Sequence, residues 1–137
     1  MTMEKMINEY WTDIYYHLHY EHDEKITHQA VRILQHIEKS SSVGIREISD
    51  FLHVSQNTAS EHVKRLIDKK FLEKKRDLTD ERKVILNLTD RGREVLFRNT
   101  ALDEDKLSVI LRSLSDEEKS MIMKAFRLIS EGAKSCM

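Results

Sequence analysis

One stretch narrows what this chain can fold into more than any other. It is Ser55–Leu88, SQNTASEHVKRLIDKKFLEKKRDLTDERKVILNL. Ala59, Val63, Leu66 and Ile67 fall at i, i+4, i+7 and i+8, one apolar stripe on a helix. The other face carries Gln56, Asn57, Thr58, Ser60, Glu61, Lys64 and Arg65. Ser55 is placed to cap the first turn, because its hydroxyl can accept from a free amide there. Strand character follows over Phe71–Arg76. Next comes a charged loop, Asp77–Lys83, and then a second strand in which Val84, Leu86 and Leu88 alternate with Ile85 and Asn87. A short polar-faced helix followed by a two-stranded hairpin is therefore expected.

The residue types on that helix suit one partner, duplex DNA. Asn and Gln can pair with adenine, Arg with guanine, and Glu can accept from cytosine. At the hairpin tip Asp80-Glu81-Arg82 offers an Arg that can enter a narrow minor groove, where negative potential is concentrated. Asp80 can hold Arg82 or close the turn through its side chain. The competing reading is an ordinary solvated helix face beside a surface ion pair worth little.

Upstream residues fit the same unit. Residues 3–20 read as a first helix, with Met3, Ile7, Tyr10, Trp11, Ile14, Tyr15 and Leu18 near 3.6-residue spacing. That aromatic stripe can pack in a core, meet a second subunit, or line an effector pocket through Trp11 and Tyr15. Thr27–Lys39 is a second helix, Ile45–Leu52 a short third one, and His53-Val54-Ser55 a tight turn into the polar-faced helix. This is a helix-turn-helix pattern. After the hairpin Thr89 can cap a long helix, Asp90–Leu111, whose stripe Asp-Glu-Asp-Lys interrupts at 103–106. Ser115 with Glu118 makes a capping box for a last helix that carries Ile122, Ala125, Phe126 and Ile129 on one face.

Composition sets the outer limits. The 137 residues suffice for one domain with a real core, and the absence of proline with only three glycines favours long helices. Net charge is −1, but nine basic and six acidic residues lie between Glu61 and Lys83, whereas residues 1–30 hold two basic and six acidic. A local basic footprint on an acidic molecule suits docking on DNA through one face. No apolar run approaches membrane-spanning length, and the opening MTMEKMINEYW lacks the order of a signal peptide. A cytoplasmic protein without membrane partners is expected. No Gly-rich phosphate loop, nucleophile elbow or metal-ligand pattern occurs, so neither an enzyme nor a cofactor is expected. His17, His19, His22 and His28 cluster, and Glu24 and His28 can share a site if both are helical. The run lacks cysteine pairs and a firm His pair, so no metal is assigned. Cys136, the single thiol, stands beside the C-terminus with no cationic neighbour in sequence.

In order and spacing the chain resembles the MarR family of bacterial transcription regulators. The resemblance covers about residues 26–130. It rests on Ile26-Thr27-x-Gln29, on Ile45-Arg46-Glu47-Ile48, and on Val54-Ser55 with Ser60, Val63 and Leu66. The hairpin adds Asp80-x-Arg82 followed by Val84-x-Leu86-x-Leu88-Thr89-x-x-Gly92. The resemblance implies a mainly α fold of order α-α-α-α-β-β-α-α. Residues 1–137 would form a single MarR-like domain, with a winged helix-turn-helix over 26–90 flanked by dimerisation helices over 1–22 and 91–137. It implies a homodimer that presents Ser55–Arg65 to the major groove and Arg82, with Lys83 beside it and Asp80 bracing it, to the minor groove. The partner would be a pseudo-palindromic operator. The regulator would be a repressor, or else an activator, released by a small-molecule or metal effector. One departure stands out: the family has glycine where this chain has Lys70. A left-handed backbone there would cost a lysine about 1 kcal/mol or more. Family members that sense oxidants carry a reactive cysteine near the N-terminus, and Cys136 inherits no such role. The alternative to the whole reading is a winged-helix module that binds protein and not DNA.

Overall fold

The computed structural model describes residues 1–21 and 24–136. Among them the chain forms, in order, α1 (Met3–Leu18), α2 (His28–Lys39), α3 (Ile45–Leu52), α4 (Gln56–Asp68), β1 (Leu72–Arg76), β2 (Val84–Leu88), α5 (Asp90–Thr100), α6 (Glu104–Arg112) and α7 (Asp116–Ser135). The expected winged helix-turn-helix is present, with one helix more than the expected order. These elements make two compact units: a winged unit, residues 19–101, and a terminal unit built from residues 1–18 and 102–137.

The winged unit holds the core. Ile33, Leu34 and Ile37 of α2, Ile48 of α3, Ala59, Val63 and Leu66 of α4, Leu72, Leu86 and Leu88 of the hairpin, and Val95 and Leu96 of α5 are buried together with Val43 and Phe71. The apolar stripe read on α4 thus faces inward, with Ile67 partly buried at its edge. The strands pair antiparallel, Leu72 opposite Leu88 and Arg76 opposite Val84. A backbone bond from the Leu86 amide to the Val43 carbonyl, 2.7 Å, ties the hairpin to the segment before α3. Val84, expected on the buried face of β2, is 45% exposed, because the hairpin has left the core by that point.

Caps fix the helix ends. Thr27, read as the first helical residue, is the N-cap of α2 and accepts from the Ala30 amide. Ser55, Thr89 and Ser115 cap α4, α5 and α7, and Ser115 with Glu118 forms the expected capping box. The backbone amide and hydroxyl of Ser115 hold the Glu118 carboxyl below its usual range.

Three further boundaries differ from the sequence expectation. The single helix expected over Asp90–Leu111 is two, since Ala101 is extended and Asp103 starts α6 by accepting from the amides of Asp105 and Lys106. A side-chain oxygen competing for first-turn amides favours a new start over continuation. The first helix ends at Leu18 and not at 20, because the Leu18 carbonyl accepts from the Asp103 amide at 2.7 Å. Phe71, placed in the first strand by its apolar character, belongs to the helix-ending turn before it.

In the terminal unit none of the three helices carries a buried residue. Met3, Met6, Ile7, Tyr10 and Trp11 of α1 are exposed, as are Val109 and Ile110 of α6 and Met121, Phe126, Leu128 and Ile129 of α7. No helix among the described residues is long and apolar enough to cross a membrane.

Candidate nucleic-acid interface

The interface is built from the start of α4. The chain enters α4 through His53, whose φ of 57° is left-handed. Its amide donates to the Asp50 carbonyl, and the Val54 amide donates to that of Ser49. Ser49 is buried, and its hydroxyl donates to the Val54 carbonyl at 2.8 Å, so the tight turn is held from both sides. Ser55 then caps α4. Its Oγ accepts from the Thr58 amide at 3.1 Å and donates to the Thr58 hydroxyl at 3.0 Å. These two hydroxyls are thereby occupied in shaping the first turn.

Gln56, Asn57, Ser60, Glu61, Lys64 and Arg65 are exposed, and at 3.6 residues per turn they form one polar arc opposite the buried stripe. Arg65 Nη1 lies 3.4 Å from Nδ1 of His62. The cleft between α4 and β1 is floored by Val63, Ile67 and Leu72 and edged by Lys64, Lys70 and Lys74.

The far end of α4 explains how the hairpin is aimed. Lys70 has φ 68°, so the position where the resembled family has glycine is left-handed here too. The Lys70 amide donates to the Ile67 carbonyl and the Phe71 amide to that of Leu66, both at 2.9 Å. Phe71 and Leu66 are both buried. This is the paired-bond turn that ends helices at a left-handed residue. The start of α5 locks it. The Thr89 hydroxyl donates to the Lys70 carbonyl at 2.5 Å, and the Thr89 amide donates to the Phe71 carbonyl at 3.0 Å. Gly92 packs on Phe71, so that a Cβ there would fall 2.9 Å from the Phe71 carbonyl carbon.

The hairpin loop is closed by the Asp77 amide donating to the Lys83 carbonyl and the Lys83 amide donating to that of Asp80. Asp77 accepts from the amide and hydroxyl of Thr79, which hold its carboxyl below the usual range. Arg76 Nη1 donates to the Glu81 carbonyl at 2.8 Å. Asp80 Oδ1 accepts from the amide of Arg82 at 3.1 Å and from its Nε at 3.3 Å. The expected brace is thus present, while the Arg82 side chain stays 93% exposed. Lys83 is turned to α3, its Nζ 3.4 Å from Glu47 Oε1. Sequence reading missed Glu47, Arg76 and Ser49. Only Glu47 left a trace, as part of the Ile45–Ile48 motif.

The remaining candidates stand on other elements. Trp11 is exposed and Tyr15 half-buried on α1. His17 is exposed and meets Tyr16 edge-on, and His28 opens α2. The suggested Glu24–His28 pair fails because Glu24 is not helical. Its carboxylate accepts from Arg91 at 2.9 Å instead. His22 lies outside the described residues. Among the described residues no cluster of three or more His, Cys, Asp and Glu is placed to hold a metal ion. Cys136 is exposed at the end of α7.

Comparison with known structures identifies the fold. A transcriptional regulator from Thermotoga maritima superposes with a TM-score of 0.67 at 24% identity, covering 96% of this chain and 94% of that one. Staphylococcus aureus MepR bound to ethidium bromide gives 0.61 at 17%, covering 97% of each chain. Streptococcus pneumoniae FabT in complex with DNA gives 0.58 at 22%, covering 98% and 99%. These structure neighbours are MarR-family regulators, and the chain shares their fold. No curated protein matches the sequence. The family model of the transcriptional regulator SarA/Rot matches residues 16–98, and with more than half its length so matched, the chain belongs to the SarA/Rot family of transcriptional regulators.

Proposed function

We propose that the protein regulates transcription by binding a specific double-stranded DNA site as a homodimer. The polar arc of α4, with Gln56, Asn57, Ser60, Glu61, Lys64 and Arg65, reads base edges in the major groove. Arg82, braced by Asp80, enters the neighbouring minor groove. The observation that carries this reading is that arc: six exposed polar residues on one face of a helix whose other face is locked in the core, beside a hairpin whose arginine is 93% exposed. Ser55 and Thr58 shape the helix start, where backbone amides suit a phosphate oxygen. FabT, of the same fold, was solved with DNA.

Dimerisation is supported by the terminal unit. Three helices with no buried residue and a broad set of exposed apolar side chains do not make a stable unit alone. A second copy supplies a matching face, and two-fold symmetry then pairs two α4 helices on one side of the duplex. Binding over a promoter would repress, in the cytoplasm. MepR, of the same fold, was solved with ethidium bromide. A small-molecule effector that releases the DNA belongs to this proposal, with Trp11 and Tyr15 as its aromatic candidates.

Selection from a random duplex pool at about 100 mM salt, with native mass spectrometry of the same preparation, tests the reading. One enriched pseudo-palindromic site bound by two chains is expected. A failure to enrich any site would favour a winged-helix module that binds protein.

A further inference from the structure

The hairpin is held by the core at its inner half, by the Leu86 amide on the Val43 carbonyl, and by the Val84 carbonyl beside Gly44. Leu72, Leu86 and Leu88 enter the core, whereas residues 73–76, 81 and 82 are exposed. One ion pair among the described residues links its outer half to the helices, Lys83 Nζ to Glu47 Oε1 at 3.4 Å. It differs from the other ion pairs there. Both side chains are more than half covered, 39% and 37% exposed, and they stand on separate elements.

Glu47 stands in the first turn of α3, its carboxylate close to Gly44. Gly44 caps α3 without a side chain to offer its amides. Glu47 follows three residues on. Burial pushes its carboxyl up. Bonds from its own amide and from that of Gly44, together with Lys83, outweigh burial and hold the carboxyl below the usual range. A carboxylate in the first turn of a helix is favourably placed beside the free amides there. Lys83 is an effective handle, since its amide and carbonyl close the loop that carries Arg82.

We propose that Glu47 is a positioning residue for the wing. By holding Lys83 it sets where Arg82 stands relative to the polar arc of α4, and the Lys83 charge serves this tether and not a phosphate. The inference rests on the DNA-binding reading. It makes an outcome that simple charge counting reverses. Removing a carboxylate beside DNA should tighten binding uniformly. Removing a tether should weaken binding, and should do so through Arg82.

The test uses the duplex that wild-type protein enriches from a random pool. Affinities of wild type, Glu47→Gln, Arg82→Ala and the double variant are measured by fluorescence anisotropy, with amide hydrogen exchange of residues 77–83 in the DNA-free proteins. Glu47→Gln should bind about three- to tenfold more weakly, and Arg82→Ala should cost a smaller factor in that background than alone. Exchange in the loop should quicken while that of α4 stays unchanged. Lys83→Met should show the same loop exchange and the same loss of the Arg82 contribution. Equal or tighter binding by Glu47→Gln, with the Arg82 contribution intact, would overturn the inference, as would unaltered loop exchange. If wild type enriches no duplex, the DNA reading falls, and the exchange measurement still decides the tether.

Discussion

The Thr89 hydroxyl donates to the Lys70 carbonyl at 2.5 Å, joining the first residue before α5 to the turn that ends α4. Lys70 is left-handed with φ 68°, a conformation that costs a residue with a Cβ about 1 kcal/mol. Lys70→Gly should relieve that strain, less the extra freedom glycine gains in the unfolded chain, and raise stability by up to about 1 kcal/mol. Urea unfolding measures it. An unchanged or lower midpoint would mean that the lysine stem contributes contacts that offset the strain.

Gly92→Ala should be severe. A Cβ at this position runs into the Phe71 carbonyl group, which is backbone held by Thr89 and cannot swing away. Overpacking against fixed atoms costs about 3 kcal/mol or more. A thermal midpoint within a degree or two of wild type would show that the α4–β1 turn yields more easily than its bonds suggest.

Arg82→Ala should leave stability unchanged, since the side chain touches little beyond Asp80. It should weaken operator binding by about 1–3 kcal/mol. Asn57→Ala should alter which bases are preferred more than it alters the salt slope. A gel-shift titration of Arg82→Ala that matches wild type would remove the wing from the interface. An unaltered preferred site for Asn57→Ala would remove that residue from base reading.

How much of this could be read from the residues alone depended on the range of the interaction. Ser55, Thr89 and Ser115 announce their helices because a capping side chain acts within three residues of itself. The polar arc of α4 was legible for the same reason, as periodicity is local. The Glu47–Lys83 pair joins residues far apart in sequence, and nothing in either segment signals the other. The left-handed turn at Lys70 was legible only through the family resemblance, which puts glycine there, because lysine itself carries no cue for positive φ. The break at Asp103 was half visible: the polar interruption showed, but whether the helix bent or restarted depended on the capping geometry of one carboxylate.

Ile129→Asp in α7 should yield monomers. Ile129 is exposed in the single chain, so the substitution costs the isolated fold little, while a charge buried against a second copy costs several kcal/mol. Sedimentation velocity at micromolar concentration should show a dimer for wild type and one chain for the variant. A dimeric variant would place the partner face elsewhere on the terminal helices.

Acid should weaken the fold through three carboxylates. Glu47, Asp77 and Glu118 are each held below their ordinary values, by the bonds from neighbouring amides, hydroxyls and Lys83 already described. Each therefore favours the folded state at neutral pH. That contribution fades as pH falls below the usual values, 4.5 for the glutamates and 3.8 for the aspartate, because the unfolded chain takes up the proton first. Unfolding midpoints measured from pH 7 downward should drop in this range, and Glu118→Gln should flatten the drop. An identical profile for the variant would mean that the capping box holds as well with a neutral partner.

The seam formed by Thr89, Gly92, Lys70 and Phe71 leaves no slack between the end of α4 and the start of α5. Two hydrogen bonds from Thr89 and the close approach of Gly92 to Phe71 join the end of α4 to the start of α5. The turn that starts the hairpin and the cap that starts α5 are therefore one hydrogen-bonded structure, so a substitution at Thr89 reaches both.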